Sequence, residues 1–309
     1  MIQLCEITKR YGSVKALGGV SLEVRKGEVL GLLGQNGAGK TTLLNILTGY
    51  LAPTSGHALI DGFDSLLNPQ EAKRRMGYLP ENPPLYDEMT VREYLTFAAE
   101  LRGVTRRAIP AHVDEVMELT GLTEMRSRLL GHLSKGYRQR AGFAQAICGD
   151  PDVLVLDEPT VGLDPKQITE IRQLIRSLSK GRTIVFSSHI LTEVQQLCDH
   201  VVILHHGLVK LDSPMAQLGQ GEEISLRLRA AAAPNQLLGK LRQLDGVVNV
   251  TQQPTGEESV TEALITFRQV QEPERRLFAL MSQLGAPILH LSRQGDSLEQ
   301  IFLSAISGD

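Results

Sequence analysis

Gly34-Gln35-Asn36-Gly37-Ala38-Gly39-Lys40-Thr41 follows the spacing G-x-x-x-x-G-K-[ST]. Glycines at those intervals let successive backbone N–H groups converge on phosphate oxygens, and a helix that starts at the lysine adds the positive end of its dipole. Lys40 then reaches the β- and γ-phosphates, and the Thr41 hydroxyl is placed to ligate Mg²⁺. Gly34, Gln35, Asn36, Gly37, Ala38, Gly39 and Thr42 are expected to complete the binding loop for a nucleoside triphosphate. A second constellation is Val153-Leu154-Val155-Leu156-Asp157-Glu158, in which two carboxylates end an apolar run. Asp157 is expected to hold the metal, and Glu158 to polarise the attacking water opposite the γ-phosphate. His189, just past the apolar stretch Thr183 to Phe186, is a third candidate for contact with the γ-phosphate.

These residues need a sheet to bring them together. Val29-Leu30-Gly31-Leu32-Leu33 reads as a buried strand feeding the glycine-rich loop, and Thr42 to Leu47 as the helix leaving it. Val153 to Leu156 and Thr183 to Phe186 read as fully buried parallel strands, whose carboxyl ends are where ligands of open α/β sheets sit. Met76 to Leu79 is a further short strand, and the prolines after it leave Glu81 and Asn82 at the same rim. Ile2 to Thr8 and Val20 to Val24 read as antiparallel strands around a turn at Tyr11-Gly12. There Tyr11 either packs in the core or stacks on a nucleotide base. Thr90 and Glu93 form a capping box, and the pattern stays helical from there to about Leu133, a helical insertion within an α/β domain. Leu133-Ser134-Lys135-Gly136-Tyr137 then precedes the helical Ala141 to Cys148, so Ser134 and Gly136 are either an N-cap with its turn glycine or an anion site.

The 309 residues, 42% hydrophobic and 22% charged, suffice for about two domains. A net charge of −3 without a basic run disfavours nucleic acid as a partner. Cys5, Cys148 and Cys198 form no paired motif and read as reduced, buried thiols. His205 and His206 lack metal spacing and read as surface histidines. No targeting segment is visible and the apolar runs are too short for a membrane span, so a membrane role would need a partner.

Over about residues 1–215 these motifs, in this order, resemble the nucleotide-binding domain of ATP-binding cassette (ABC) transporters. Gly34 to Thr41 resembles its Walker A motif, Val153 to Glu158 its Walker B, and Gly162 to Asp164 its D-loop. His189 resembles the switch histidine, Tyr11 the adenine-stacking residue, and Leu133 to Tyr137 the signature. The resemblance implies an ATPase in which Lys40, Glu158 and His189 act in catalysis and Thr41, Asp157 and Glu81 lie at Mg²⁺. It also implies a head-to-tail dimer, with a second copy or a paralogue, in which Ser134 and Gly136 of one subunit meet ATP held by the other. Separate transmembrane permease chains would keep such a subunit at the cytoplasmic membrane face. Lys135 and Tyr137 depart from the usual signature glycine and glutamine, and Glu81 stands where the family has a Q-loop glutamine. Such features resemble ATPases of ABC-2-type exporters, including the gliding-motility-associated group. A soluble cassette ATPase acting on a non-transport macromolecule is the alternative.

The expected domains are a P-loop α/β ATPase domain at 1–215, with an antiparallel β subdomain and a helical subdomain at about 85–145, then a linker at 216–222 around Gly219-Gln220-Gly221. Residues 223–309 read β-α-β-β-α-β with a closing amphipathic helix, a small ferredoxin-like α+β unit of dimerising or regulatory role, with a substrate-binding module as the alternative.

Overall fold

Continuous runs of Leu, Val and Ile supply the central strands of the chain. A computed structural model describes residues 1–218, 223–255, 257, 259–268, 270, 272–294 and 298–307, which fall into two units, 1–215 and 216–307. The first unit begins β1 (Ile2–Tyr11), β2 (Val14–Val24), β3 (Val29–Leu33), α1 (Lys40–Leu47), β4 (Ser55–Ile60), β5 (Phe63–Asp64), α2 (Pro69–Arg75) and β6 (Met76–Leu79). Helices α3 (Val91–Leu101), α4 (Ile109–Leu119) and α5 (Lys135–Ile147) follow. The unit closes with β7 (Val153–Asp157), α6 (Pro165–Leu178), β8 (Thr183–Ser188), α7 (Leu191–Leu197), β9 (His200–His205) and β10 (Leu208–Pro214).

The central sheet has the order β10-β9-β3-β8-β7-β6 and is parallel except for the edge strand β10. Every residue of β3, β7 and β8 is buried, as expected of strands covered on both faces. An antiparallel sheet, β2-β1-β4-β5, packs Ile2, Ile7, Val20 and Ile60 into one core with Leu30 and Leu32 of β3, Leu43 and Leu44 of α1, and Val155 of β7. This packing fixes the carboxyl ends of β3, β7 and β8 side by side. The capping box at Thr90 and Glu93 opens α3, and Asp164 with Gln167 forms another at α6.

Several expectations change. β1 runs on to Tyr11 and β2 starts at Val14, because Glu6 takes a left-handed φ of 48° and shifts the register between Leu4 and Ile7, which breaks the alternation in sequence. α2 escaped the periodicity because only Ala72 of its seven residues is buried. α5 begins directly after Ser134, so Lys135, Gly136 and Tyr137 lie inside the helix. Cys5 is exposed, on the outward face of β1, and only Cys148 and Cys198 are buried thiols. His205 ends the buried strand β9 and is itself buried, not a surface residue.

The second unit consists of β11 (Glu223–Ala230), α8 (Pro234–Arg242), β12 (Val247–Gln253), β13 (Thr261–Arg268), α9 (Pro273–Gln283), β14 (Ile288–Gln294) and α10 (Leu298–Ser307). Its antiparallel sheet has the order β12-β13-β11-β14. Strict alternation on β13 buries Thr261, Ala263, Ile265 and Phe267, and the last two join Leu226, Leu228, Leu237, Leu241 and Leu277 in a separate core. Gly219-Gln220-Gly221 lies outside the described residues.

Candidate active site

The glycine-rich loop joins β3 to α1 and is held by close backbone approach. A Cβ on Gly34 would lie 2.5 Å from the Leu204 carbonyl oxygen. Gly39 caps α1 in the left-handed region at φ 106°, with the Ala16 carbonyl oxygen 2.9 Å from where a Cβ would be. Lys40 folds back over this loop. Its Nζ donates to the Gly34 carbonyl at 2.7 Å and lies 3.3 Å from Glu158 Oε1. Only 6% of Lys40 is exposed, so its Nζ takes its partners from the protein rather than from solvent.

Asp157 and Glu158 stand at the end of β7, beside the end of β8. Ser187 binds both: its Oγ donates to Asp157 Oδ1 at 2.6 Å and accepts from the Glu158 backbone N–H at 2.9 Å. Burial pushes the Asp157 carboxyl above its ordinary range, while hydrogen bonds from Ser187 and Thr41 pull it back toward ionisation. Glu158 adopts a left-handed φ of 45°, rare for a residue other than glycine and common at functional sites. Its Oε2 lies 2.9 Å from His189 Nδ1. Beneath His189, Ser188 donates to the buried Glu193 and accepts from the Ile190 N–H, bracing the turn after β8.

A cleft of about 380 Å³ brings Gln35, Asn36, Gly37, Gly39, Lys40, Thr41 and Thr42 together with Glu81, Glu158 and His189. Gly34, Ala38 and Asp157 are adjacent in sequence to lining residues but do not themselves line it. Tyr11 is half-exposed at the end of β1, 5.3 Å beneath Lys9 Nζ, and is not among the residues lining the cleft. Ser134 and Gly136 lie at the start of α5 and do not line the cleft of their own chain either. Sequence reasoning missed Ser187, Ala16 and Val161. Ser187 left one signal, a hydroxyl directly after the apolar Ile184-Val185-Phe186 of β8.

A phosphate-binding loop, a buried aspartate hydrogen-bonded to its threonine, and a carboxylate–histidine pair along one rim of a parallel sheet define a P-loop nucleoside triphosphatase. Residues 17–161 match the family model described as ABC transporter. The bacitracin transport ATP-binding protein BcrA of Bacillus licheniformis is 35% identical over 310 residues, covering 100% of this chain and 98% of that protein. The ABC transporter ATP-binding protein NatA of Bacillus subtilis is 40% identical, over 72% of this chain and 93% of that protein. Among solved structures, the dimeric bacterial ABC transporter cassette MJ0796 superposes with a TM-score of 0.65 at 26% identity, over 70% of this chain and 99% of that one. The same cassette has been solved in a post-hydrolysis state with ADP and Pi, at a TM-score of 0.64 and 25% identity. The chain belongs to the ABC transporter ATP-binding family. It binds and hydrolyses ATP as the energising subunit of a transporter whose permease is separate.

Proposed function

We propose that two ATP-binding subunits, this chain with a second copy of itself, close head to tail on Mg²⁺-ATP and drive an ABC-2-type exporter at the cytoplasmic face of a membrane. The observation that carries this reading is the divided grip on Glu158, one oxygen facing Lys40 at 3.3 Å and the other His189 at 2.9 Å. Incoming phosphate competes for Lys40, because a multiply charged anion attracts the ammonium more strongly than one carboxylate does. Glu158 Oε1 is then free to orient water and take its proton, while His189 holds Oε2. Ser134 and Gly136, which lie outside their own chain's cleft, suit contact with the partner's nucleotide.

The residues fit Mg²⁺. Thr41 and Asp157 already share a hydrogen bond beside the cleft, and hard oxygen donors are what this ion prefers. When bound, Mg²⁺ offsets phosphate charge, and Thr41 and Asp157 fix where it stands, with Glu81 nearby. Tyr11, at the open end of β1, is placed to meet the base.

The permease surface we favour is a second depression, of about 550 Å³, lined by Tyr50, Lys73, Arg74, Tyr78 and Arg102. Tyr50 is 82% exposed, and Tyr78 sits on β6, the strand that leads to Glu81. Among the described residues no helix is long and apolar enough to cross a membrane. The match to the bacitracin transport ATP-binding protein BcrA over 100% of this chain and 98% of that protein supports a transporter of that kind and a shared accessory role for the ferredoxin-like unit at 223–309. The test is affinity purification of the tagged chain from detergent-solubilised membranes of its source cells, with an ATPase assay on the eluate. A co-purifying multi-span protein with ATP turnover is expected, and its recovery should fall in Tyr50→Arg. Recovery with soluble complexes alone would overturn the transport reading.

A further inference from the structure

The first turns of α5 lie directly on the segment that follows the catalytic glutamate. Gln139, 5% exposed, donates from Nε2 to the Pro159 carbonyl at 3.1 Å. Gly136 packs against Gln167, whose amide atoms would stand 2.6–2.8 Å from a Cβ at that position. Gln167 in turn closes the capping box with Asp164 at the start of α6. The Lys135 ammonium lies over Gly162. Residues 135, 136 and 139 therefore rest on 159–167 as one surface of a helix, the periodicity that places positions three and four apart on a common face.

Glu158 sits at the point this surface controls. Its left-handed φ of 45° is held from one side by the bond from its N–H to Ser187 and from the other by Gln139 on the next carbonyl. A non-glycine residue in that conformation stores strain and relaxes when its restraints are removed. Gln139 lies five positions beyond Ser134, and the helix from Lys135 to Ile147 is continuous. A shift at its first turn therefore moves Gln139 as part of a rigid element.

We infer that Gln139 is a positioning residue that ties the two ATP sites of a dimer together. It holds the backbone beside Glu158, which serves its own chain's nucleotide, from a helix whose first turn meets the nucleotide of the other chain. The inference rests on the dimer proposed above. Occupancy of one site orients α5, α5 fixes the Pro159 carbonyl, and the Glu158 carboxylate of the second site is thereby aimed. The two sites share a coupling energy carried by a named contact between packed elements.

The test is steady-state ATPase of the full chain against ATP concentration, for wild type, Gln139→Met and Gln139→Glu, with melting temperatures alongside. Met preserves length and apolar packing but donates no hydrogen bond. Glu regains a donor only when protonated, and burial favours that form. For Gln139→Met, kcat should fall about tenfold, as for loss of one hydrogen bond that holds the Glu158 backbone in place. Its Hill coefficient should fall toward 1, while ATP affinity measured in a Glu158→Gln background stays within about twofold of the Gln139 parent, the bond lying outside the nucleotide cleft. The ratio of Gln139→Glu to Gln139→Met activity should rise as pH is lowered. Wild-type kcat and Hill coefficient in Gln139→Met would overturn the inference, as would a joint fall of kcat, affinity and melting temperature, the mark of a structural role alone. A wild-type Hill coefficient of 1 with normal turnover and a normal dimer would also overturn it while sparing the dimeric ATPase. Absence of dimer and turnover in wild type would instead overturn the proposed function, and this inference with it.

Discussion

Ser187→Ala removes two hydrogen bonds in one atom, one to the Asp157 carboxylate and one from the Glu158 backbone N–H. The bond to Asp157 Oδ1 at 2.6 Å joins a hydroxyl to a carboxylate, and such bonds contribute about 1.5–3 kcal/mol. The bond from the Glu158 N–H at 2.9 Å is neutral, but losing its acceptor leaves a buried donor unsatisfied at a cost of about 1–3 kcal/mol. Ser187 is completely buried, so solvent does not replace it. Taking the two effects as partly shared gives a destabilisation of about 3 kcal/mol, or roughly 6–12 °C in melting temperature for a domain of this size. The assay is calorimetry of the nucleotide-free chain. A second readout follows from Asp157, whose carboxyl burial pushes up and Ser187 pulls down. Without Ser187 it ionises at higher pH, so the acid limb of the ATPase profile moves to higher pH. A melting temperature within about 2 °C of wild type, with an unmoved acid limb, would refute the assignment of Ser187 as the brace of the Asp157 carboxylate and the Glu158 backbone.

Asp157→Asn should abolish turnover yet raise the melting temperature of the nucleotide-free chain at pH 7. The folded carboxyl titrates above its ordinary value near 3.8, so the native state favours the proton and loses stability as pH rises through that interval. The gain is about 1.4 kcal/mol per pKa unit removed and should shrink as pH falls toward 4, which calorimetry across pH will check. Gly39→Ala should lose ATP binding and several degrees of stability, since its Cβ would stand 2.9 Å from the Ala16 carbonyl oxygen. Gly37→Ala, at φ 82° with open space around the Cβ, should carry backbone strain alone, about 1–2 kcal/mol; equal melting temperatures for the two would refute the packing argument. Glu81→Gln removes one carboxylate from the cleft and should tighten binding of metal-free ATP more than that of Mg²⁺-ATP, as titration with and without EDTA will read.

Much of the site was legible because its physics is local. A loop that cradles phosphate needs glycines at fixed steps, and Gly34 to Thr41 has them. Strands covered on both faces read as apolar runs, and β7 and β8 do. The capping box of α3 was visible at Thr90 and Glu93 because its two partners are three residues apart. What stayed hidden depends on chain segments far apart in sequence or on backbone dihedrals. Ser187 meets Asp157 across 30 residues, and Gln139 meets Pro159 across 20. The left-handed Glu6, which carries β1 past its apparent end, and the left-handed Glu158 carry side chains with no preference for that region. α2 has almost no buried face to impose a period.

The departures at the signature follow from the same geometry. Tyr137 contributes its backbone N–H to the Ser134 hydroxyl, so the cap does not depend on that side chain. Lys135 is exposed and reaches outward over Gly162, a position that admits a long side chain. Gly136 has no such freedom, because Gln167 fills the space where a Cβ would go. The constraint thus falls on residues 134 and 136, the two whose hydroxyl and backbone suit a phosphate. At the cleft itself, Asp157, Glu158 and Glu81 set three carboxyl groups against the ammonium of Lys40. Bare triphosphate entering that field meets repulsion from each ionised carboxylate, whereas the same triphosphate carrying a divalent cation brings the positive charge that Asp157 and Glu81 lack. Charge balance is thus the physical ground for proposing that metal-bound nucleotide enters in preference to the bare triphosphate.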